Sequence, residues 1–264
     1  MKIFISADIE GVTGVNSWSE TELSSSEHKV FAEQMTEEVV AACEGAVAMG
    51  AKEIFIKDAH GSARNIDMRK LPKCARLSRG WTYCPDCMVA GLDESFDAAI
   101  FIGYHSAAGY NGNQLAHTMS LKVNYIKING QIASEYVLNS YIASGYGVPV
   151  VFLSGDKMLC ERAKDLNSSI ETVAVNEGVG GATISINPEL SCELIKEGVK
   201  KSLKHISSCK LKIPEKFDVE VNYKEHKDAK RTSYYPGVTQ ISTHTVIFTA
   251  KSINELKTAL MFIL

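Results

Sequence analysis

Three apolar runs in the first half of the chain each stop on polar residues, and that recurrence restricts the fold more than any other feature. Lys2–Ala7 runs into Asp8-Ile9-Glu10-Gly11, Glu53–Lys57 into Asp58-Ala59-His60, and Ala98–Gly103 into Tyr104-His105. The runs have strand length and Ile/Phe content, the pattern of strands buried on both faces of a parallel sheet. Between the first two, Glu27–Met49 places Val30, Phe31, Met35, Val39, Ala42, Ala46 and Met49 at helical spacing, and Gly50 follows as a stop. Strand, helix and strand in that order imply a right-handed crossover and a parallel pair. The C-terminal ends of the strands then share one edge, where open α/β sheets bind their ligands.

Asp8, Glu10, His60 and His105 all fall on that edge. A lone Asp-x-Glu usually caps a turn, and a single histidine at a strand end is usually a hydrogen-bonded turn residue. Four such residues at three equivalent strand ends are harder to explain by packing. Two carboxylates one residue apart repel unless a cation joins them, and imidazole mixed with carboxylate suits Zn²⁺ better than Mg²⁺ or Ca²⁺.

Farther along, Ala116-His117-Thr118-Met119-Ser120 precedes a strand over Val123–Ile128 and the turn dipeptide Asn129-Gly130. A helix is expected from about Ile132, with Glu135 in its first turn, where the helix dipole favours a carboxylate. Val148–Leu153 reads as another buried strand, and Asp156 as the cap of a helix reaching Ala163. Pro188–Ile206 is an amphipathic helix, after which Lys210–Lys216, with a proline and several lysines, marks a boundary. Beyond it, Phe217–Val221 and Thr243–Ala250 are strand-like and Ile253–Leu264 helical. The expectation is an α/β fold with a parallel-sheet domain over residues 1–209, helices on both faces, and a smaller α+β region over 210–264.

With 264 residues, 45% hydrophobic content and a net charge of -3, the chain can bury its own core and lacks the basic excess of a nucleic-acid or membrane-surface binder. No basic segment leads into an apolar signal region, and no run approaches the ~18–20 apolar residues of a membrane span. Seven scattered cysteines fit reduced thiols, so a cytoplasmic setting is expected. Cys84-Pro85-Asp86-Cys87 could be half a zinc ribbon or a redox pair, but no second C-x-x-C follows, so the motif alone is weak. Gly178-Val179-Gly180-Gly181 lacks the preceding context of a phosphate loop, which argues against a nucleotide enzyme.

Taken in order, Asp8-Ile9-Glu10-Gly11, Asp58-Ala59-His60, Gly103-Tyr104-His105, His117-Thr118-Met119, Glu135 with Leu138-Asn139, Gly155-Asp156 and Pro236-Gly237 cover nearly the whole chain. This succession resembles the zinc-dependent D-aminopeptidases encoded with bacterial dipeptide-transport systems. The resemblance implies a binuclear zinc site, two ions per subunit, made by Asp8, Glu10, His60, His105 and Glu135, with Asp8 bridging. It implies a catalytic role for His117 as nucleophile, acid/base or oxyanion donor. It also implies removal of the amino-terminal residue from short peptides containing D-residues, in a decamer of two stacked pentameric rings. Trp81–Cys87 departs from the family pattern, which bears on substrate choice. The alternatives are a related metal-dependent amidohydrolase, an L-peptide aminopeptidase, or a non-catalytic metal-binding protein. His226 and His244 match no ligand position and are read as structural or surface residues.

Overall fold

The computed structural model describes all 264 residues. In chain order the strands are β1 (Lys2–Ala7), β2 (Glu53–Asp58), β3 (Ala75–Ser78), β4 (Ala98–Tyr104), β5 (Val123–Ile128), β6 (Gln131–Ile132), β7 (Val150–Asp156), β8 (Glu171–Val179), β9 (Ala182–Ser185), β10 (Phe217–Tyr223), β11 (Thr239–Gln240) and β12 (Thr245–Ala250). The helices are α1 (His28–Ala48), α2 (Glu135–Gly145), α3 (Lys157–Leu166), α4 (Pro188–Ser202), α5 (His226–Thr232) and α6 (Ile253–Ile263).

Seven strands form one sheet in the order β3-β2-β1-β4-β7-β8-β9, parallel throughout except for the final hairpin from β8 to β9. β1 lies at the point where the order reverses, with β2 on one side and β4 on the other. Its side chains alternate between faces. Ile3 and Ile5 pack with Met35, Val39 and Ala42 of α1 and Ile195 and Val199 of α4, whereas Phe4 packs with Tyr136 and Ile142 of α2 and Leu159 of α3. Helices therefore cover both faces, and the continuous hydrophobicity of the run follows from burial on each side.

Two glycines let the strand ends close up. A Cβ on Gly11 would stand 1.8 Å from the Tyr104 carbonyl oxygen, and one on Gly103 (φ +68°) 2.3 Å from that of Asp8. Only glycine tolerates that approach. It is held by the Gly11 N–H donating to Gly103 O (2.8 Å) and the Asp8 N–H to Ile102 O (2.9 Å).

A second, antiparallel sheet has the order β11-β12-β10-β5-β6. It draws on both sides of residue 209, because β5 pairs with β10 and not with the parallel sheet. The one-sided pattern of Val123, Ile126 and Ile128, all buried against Phe217, Val219 and Val221, selects that partner. α2 starts three residues later than expected. Asn129 and Gly130, both at positive φ, turn the chain back so that Gln131 and Ile132 pair with β5. Gly180, also at positive φ, lies in the turn between β8 and β9, which accounts for the glycine-rich stretch there. The polar stretch between β2 and β4 hides β3, and a single 3₁₀ turn, Cys87–Val89, follows it. No helix is long and apolar enough to cross a membrane.

Candidate metal centre and active site

The C-terminal edge of the parallel sheet gathers all six residues singled out above. Asp8 and Glu10 leave β1, His60 leaves β2 and His105 leaves β4. His117 arrives on the loop before β5, and Glu135 opens α2. That helix is capped by Ser134, which accepts from Val137 N. The three carboxyl side chains are almost wholly buried, with Asp8 2%, Glu10 1% and Glu135 3% exposed.

Asp8, Glu10 and His60 offer ligand atoms that all lie within 4.8 Å of one another; Asp8, His105 and Glu135 do the same, as do Glu10, His105 and His117. Asp8 faces two ways. Its Oδ1 is 3.2 Å from His60 Nδ1 and its Oδ2 3.6 Å from His105 Nε2. His60 Nδ1 is also 2.9 Å from Glu10 Oε2, and Glu135 lies between His105 (3.3 Å) and His117 (3.6 Å). The Met119 N–H donates to Glu135 Oε1 at 2.6 Å.

The three imidazoles share one arrangement. His60 Nε2 is 3.0 Å from Thr21 O, His105 Nδ1 2.9 Å from Ser106 O, and His117 Nδ1 2.9 Å from Leu115 O. A carbonyl only accepts, so those nitrogens carry the proton and each ring turns its other nitrogen toward the carboxylates. Carbonyl partners of this kind orient metal-ligating histidines. Two atoms inside the cluster, Glu10 Oε2 and His105 Nε2, are buried with only acids and imidazoles of the cluster itself in reach, and a buried polar atom left unsatisfied costs about 1–3 kcal/mol. Lone pairs converging from acids and imidazoles are a donor set that fits a cation.

The ionisation of the bare cluster points the same way. Burial and the neighbouring Glu10 push the Asp8 carboxyl well above its ordinary range, with His60 opposing. For Glu10, burial is outweighed by His60, which holds it well below. Burial is likewise outweighed at His60 by Glu10 and at His105 by Glu135, so both imidazoles are raised. Glu135, despite its burial, is drawn down to about 2 by His105. Protons on imidazole thus answer the negative charge wherever no other cation does.

Trp18 was not singled out from the sequence, yet its ring meets His117 edge-on at 5.4 Å, and His105 stacks on His117 at 4.4 Å. Nothing in the local sequence marks it, because it sits on a short 3₁₀ turn far from any strand end. A cavity of about 520 Å³ opens from the cluster, with an apolar wall that includes Trp81, Met88, Leu138 and Leu260.

Strand-end acids and imidazoles gathered in a cleft at the edge of a doubly covered parallel sheet are the equipment of a hydrolase. A family model described as D-aminopeptidase matches residues 1–262. The chain therefore belongs to the D-aminopeptidase family; it is an enzyme, a peptide hydrolase of the aminopeptidase type. Among curated proteins it is similar to D-aminopeptidase of Bacillus subtilis (strain 168), with 28% identity across 99% of this chain and 96% of the relative. Among solved structures it superposes on the Zn-dependent D-aminopeptidase DppA from Bacillus subtilis, described as a self-compartmentalizing protease. The TM-score is 0.93 at 28% identity, over 100% of this chain and 96% of the other.

Proposed function

We propose that this protein is a binuclear zinc aminopeptidase that removes the amino-terminal residue from short peptides containing D-amino acids. Asp8, Glu10 and His60 would hold one ion and Asp8, His105 and Glu135 the other, with Asp8 shared between them. The observation that carries this reading is the shared orientation of the histidines: each gives one ring N–H to a backbone carbonyl and aims the other nitrogen at buried carboxylates. Bound there, zinc supplies Lewis-acid polarisation of the scissile carbonyl and of a water molecule.

The remaining work falls to the chain. With Nδ1–H committed to Leu115 O, His117 has Nε2 free to take a proton and return it to the leaving amine, the two halves of general base and acid catalysis. Contacts with Trp18 and His105 restrict rotation of its ring. Burial of the acids keeps water from weakening these electrostatic contacts. A second reading makes His117 a metal ligand, and its proximity to Glu10 and His105 favours it; zinc content after removal of the ring separates the two.

The self-compartmentalizing relative supports assembly into a closed oligomer, for which we propose the decamer of two stacked pentameric rings. Seven unpaired cysteines support a reducing, cytoplasmic setting. The test of function is to load the purified chain with zinc and present di- and tripeptides that differ only in the chirality of the amino-terminal residue. Release of free D-residues is expected. Release of L-residues alone would overturn the stereochemical part, and no release from either set would overturn the enzymatic part.

A further inference from the structure

Cys84-Pro85-Asp86-Cys87 lies in the wall of the active-site cavity, in the stretch where the chain departs from its family's pattern, and hydrolysis as described above makes no use of either thiol. Pro85 and Asp86 occupy the central positions of a turn, with Asp86 at φ −72° and ψ −14°, and the Cys87 N–H donates to Cys84 O at 3.1 Å. A turn closed in this way keeps its end Cα atoms within about 7 Å. That distance overlaps the window of about 4.4–6.8 Å in which a disulfide can form. Both thiols are free, half-buried and line the cavity, so a small molecule entering it can reach them.

The two sulfurs have different surroundings. The Thr82 hydroxyl donates to Cys84 Sγ at 3.0 Å. At Cys87, burial and then the Glu135 carboxylate push the thiol up to about 11. Cys84 follows the exposed Thr82 and Tyr83, whereas Cys87 leads into the buried Met88, so Cys84 is placed to attack first and Cys87 to resolve. The loop is tied at both ends. Lys57 donates to Gly80 O at 2.7 Å and lies over the Trp81 ring at 4.3 Å. At the other end, Asp86 accepts from Lys257 of α6 (2.6 Å) and from the Tyr146 hydroxyl (3.1 Å). Tyr83 and Cys87 sit at φ +55° and +46°, a region that residues with side chains rarely occupy.

We propose that Cys84 and Cys87 form a redox-active dithiol that takes low-molecular-weight disulfides such as oxidised glutathione. The Cys84 thiolate attacks one glutathione sulfur, forming a mixed disulfide and expelling the other glutathione as thiolate. The Cys87 thiolate then attacks Cys84 Sγ, closing the Cys84–Cys87 bond and expelling the second glutathione. Two electrons and two protons pass from the protein dithiol to the small disulfide, which leaves as two thiols. Both cysteines line the cavity that opens from the acid–imidazole cluster, so a bridge between them alters its wall.

The experiment treats the full-length, zinc-loaded protein with oxidised glutathione and follows the tryptic peptide Gly80–Lys122, whose only cysteines are Cys84 and Cys87. In the wild type this peptide should become lighter by two hydrogens, carry no glutathione, and regain both thiols with a phosphine reductant. Cys87→Ser should trap glutathione on Cys84, and Cys84→Ser should leave the peptide unmodified. Hydrolysis should fall several-fold on bridge formation and recover on reduction, with zinc content unchanged. Two thiols persisting in the wild-type peptide, or glutathione remaining attached without bridge formation, would overturn the proposal. A bridge that leaves hydrolysis unaltered would overturn its coupling to the cavity. The mass readout does not depend on peptide hydrolysis, so its failure is distinguishable from failure of the proposed function.

Discussion

Asp58 closes β2 opposite Ala7, and Asp8 lies one residue beyond Ala7 on the neighbouring parallel strand; both are buried, yet their surroundings are opposite. Asp58 accepts from Asn65 N (2.6 Å), Asn65 Nδ2 (2.8 Å) and Ile66 N (2.9 Å), all donated by the loop that follows it. Asp156, ending β7, is satisfied in the same manner by the Ser106 hydroxyl (2.6 Å) and Leu159 N (2.9 Å). Asp8 accepts one backbone bond, from Ile9 N, and otherwise faces imidazoles and other acids; the Glu10 carboxylate beside it receives no backbone or amide N–H and meets His60. The difference lies in what the following segment returns to the carboxylate. Backbone and amide N–H groups complete Asp58 and Asp156 as scaffold, whereas Asp8 and Glu10 are left to be completed by a cation.

The scaffold acids also aim the chemistry. Asp58 holds Asn65, whose amide donates to His60 O (3.0 Å), and Asp156 holds Ser106, whose carbonyl receives the His105 ring N–H. The end of β2 thus carries both a site residue and the acid that fixes its loop, whereas the loop after β4 is fixed by Asp156 from neighbouring β7.

The sharpest break in the comparison is Asp8→Asn. The amide keeps the shape but has one acceptor and no charge, so neither cluster retains the carboxylate they share. We expect peptide hydrolysis to drop to background and zinc to be lost from both positions, measured by elemental analysis beside activity. Retention of both ions with normal turnover would place Asp8 among the scaffold acids.

His117→Ala should have the next largest effect. As an acid/base group it should lower turnover by about a hundredfold or more while zinc content stays at the wild-type level. Loss of zinc would make it a ligand, and full activity would make it a loop residue.

Asp58→Asn should have the smallest effect and the opposite signature. It replaces one of the acceptors serving three N–H donors by a further donor, which should cost about 1–3 kcal/mol in denaturant unfolding. With zinc supplied in excess, its metal content should match the wild type. An unchanged stability with lost metal would remove the distinction between the two classes of acid.

Much of this contrast was legible in the sequence, and the remainder depends on tertiary approach. The strand ends at Asp8, Glu10, His60 and His105 followed from uninterrupted apolar runs, because burial on both faces leaves strands without alternation and parallel pairing aligns their ends. Glu135 by itself reads as an acid favoured by a helix N-terminus, and it does open α2. Its approach to His105 arises only because that helix crosses over the sheet edge, and the succession of family motifs was what pointed to it. Trp18 carried no signal. β3, β8 and β9 were missed because they are short or polar at the sheet margins, where half-exposed strands lose the apolar run. The participation of β5 in the second sheet is a pairing between residues about a hundred positions apart, beyond the reach of local pattern.

The claim that the strand-end acids divide into scaffold and cation site is tested most directly by the number of zinc ions bound per chain. The purified protein is to be stripped with a chelator, reloaded with graded zinc and dialysed, and its metal and protein content measured while hydrolysis is followed. We expect binding to saturate at two ions per chain, with activity rising as the sites fill. Saturation at one would leave Asp8 without a bridging role, and a chain that binds none while folded would contradict the account at its centre.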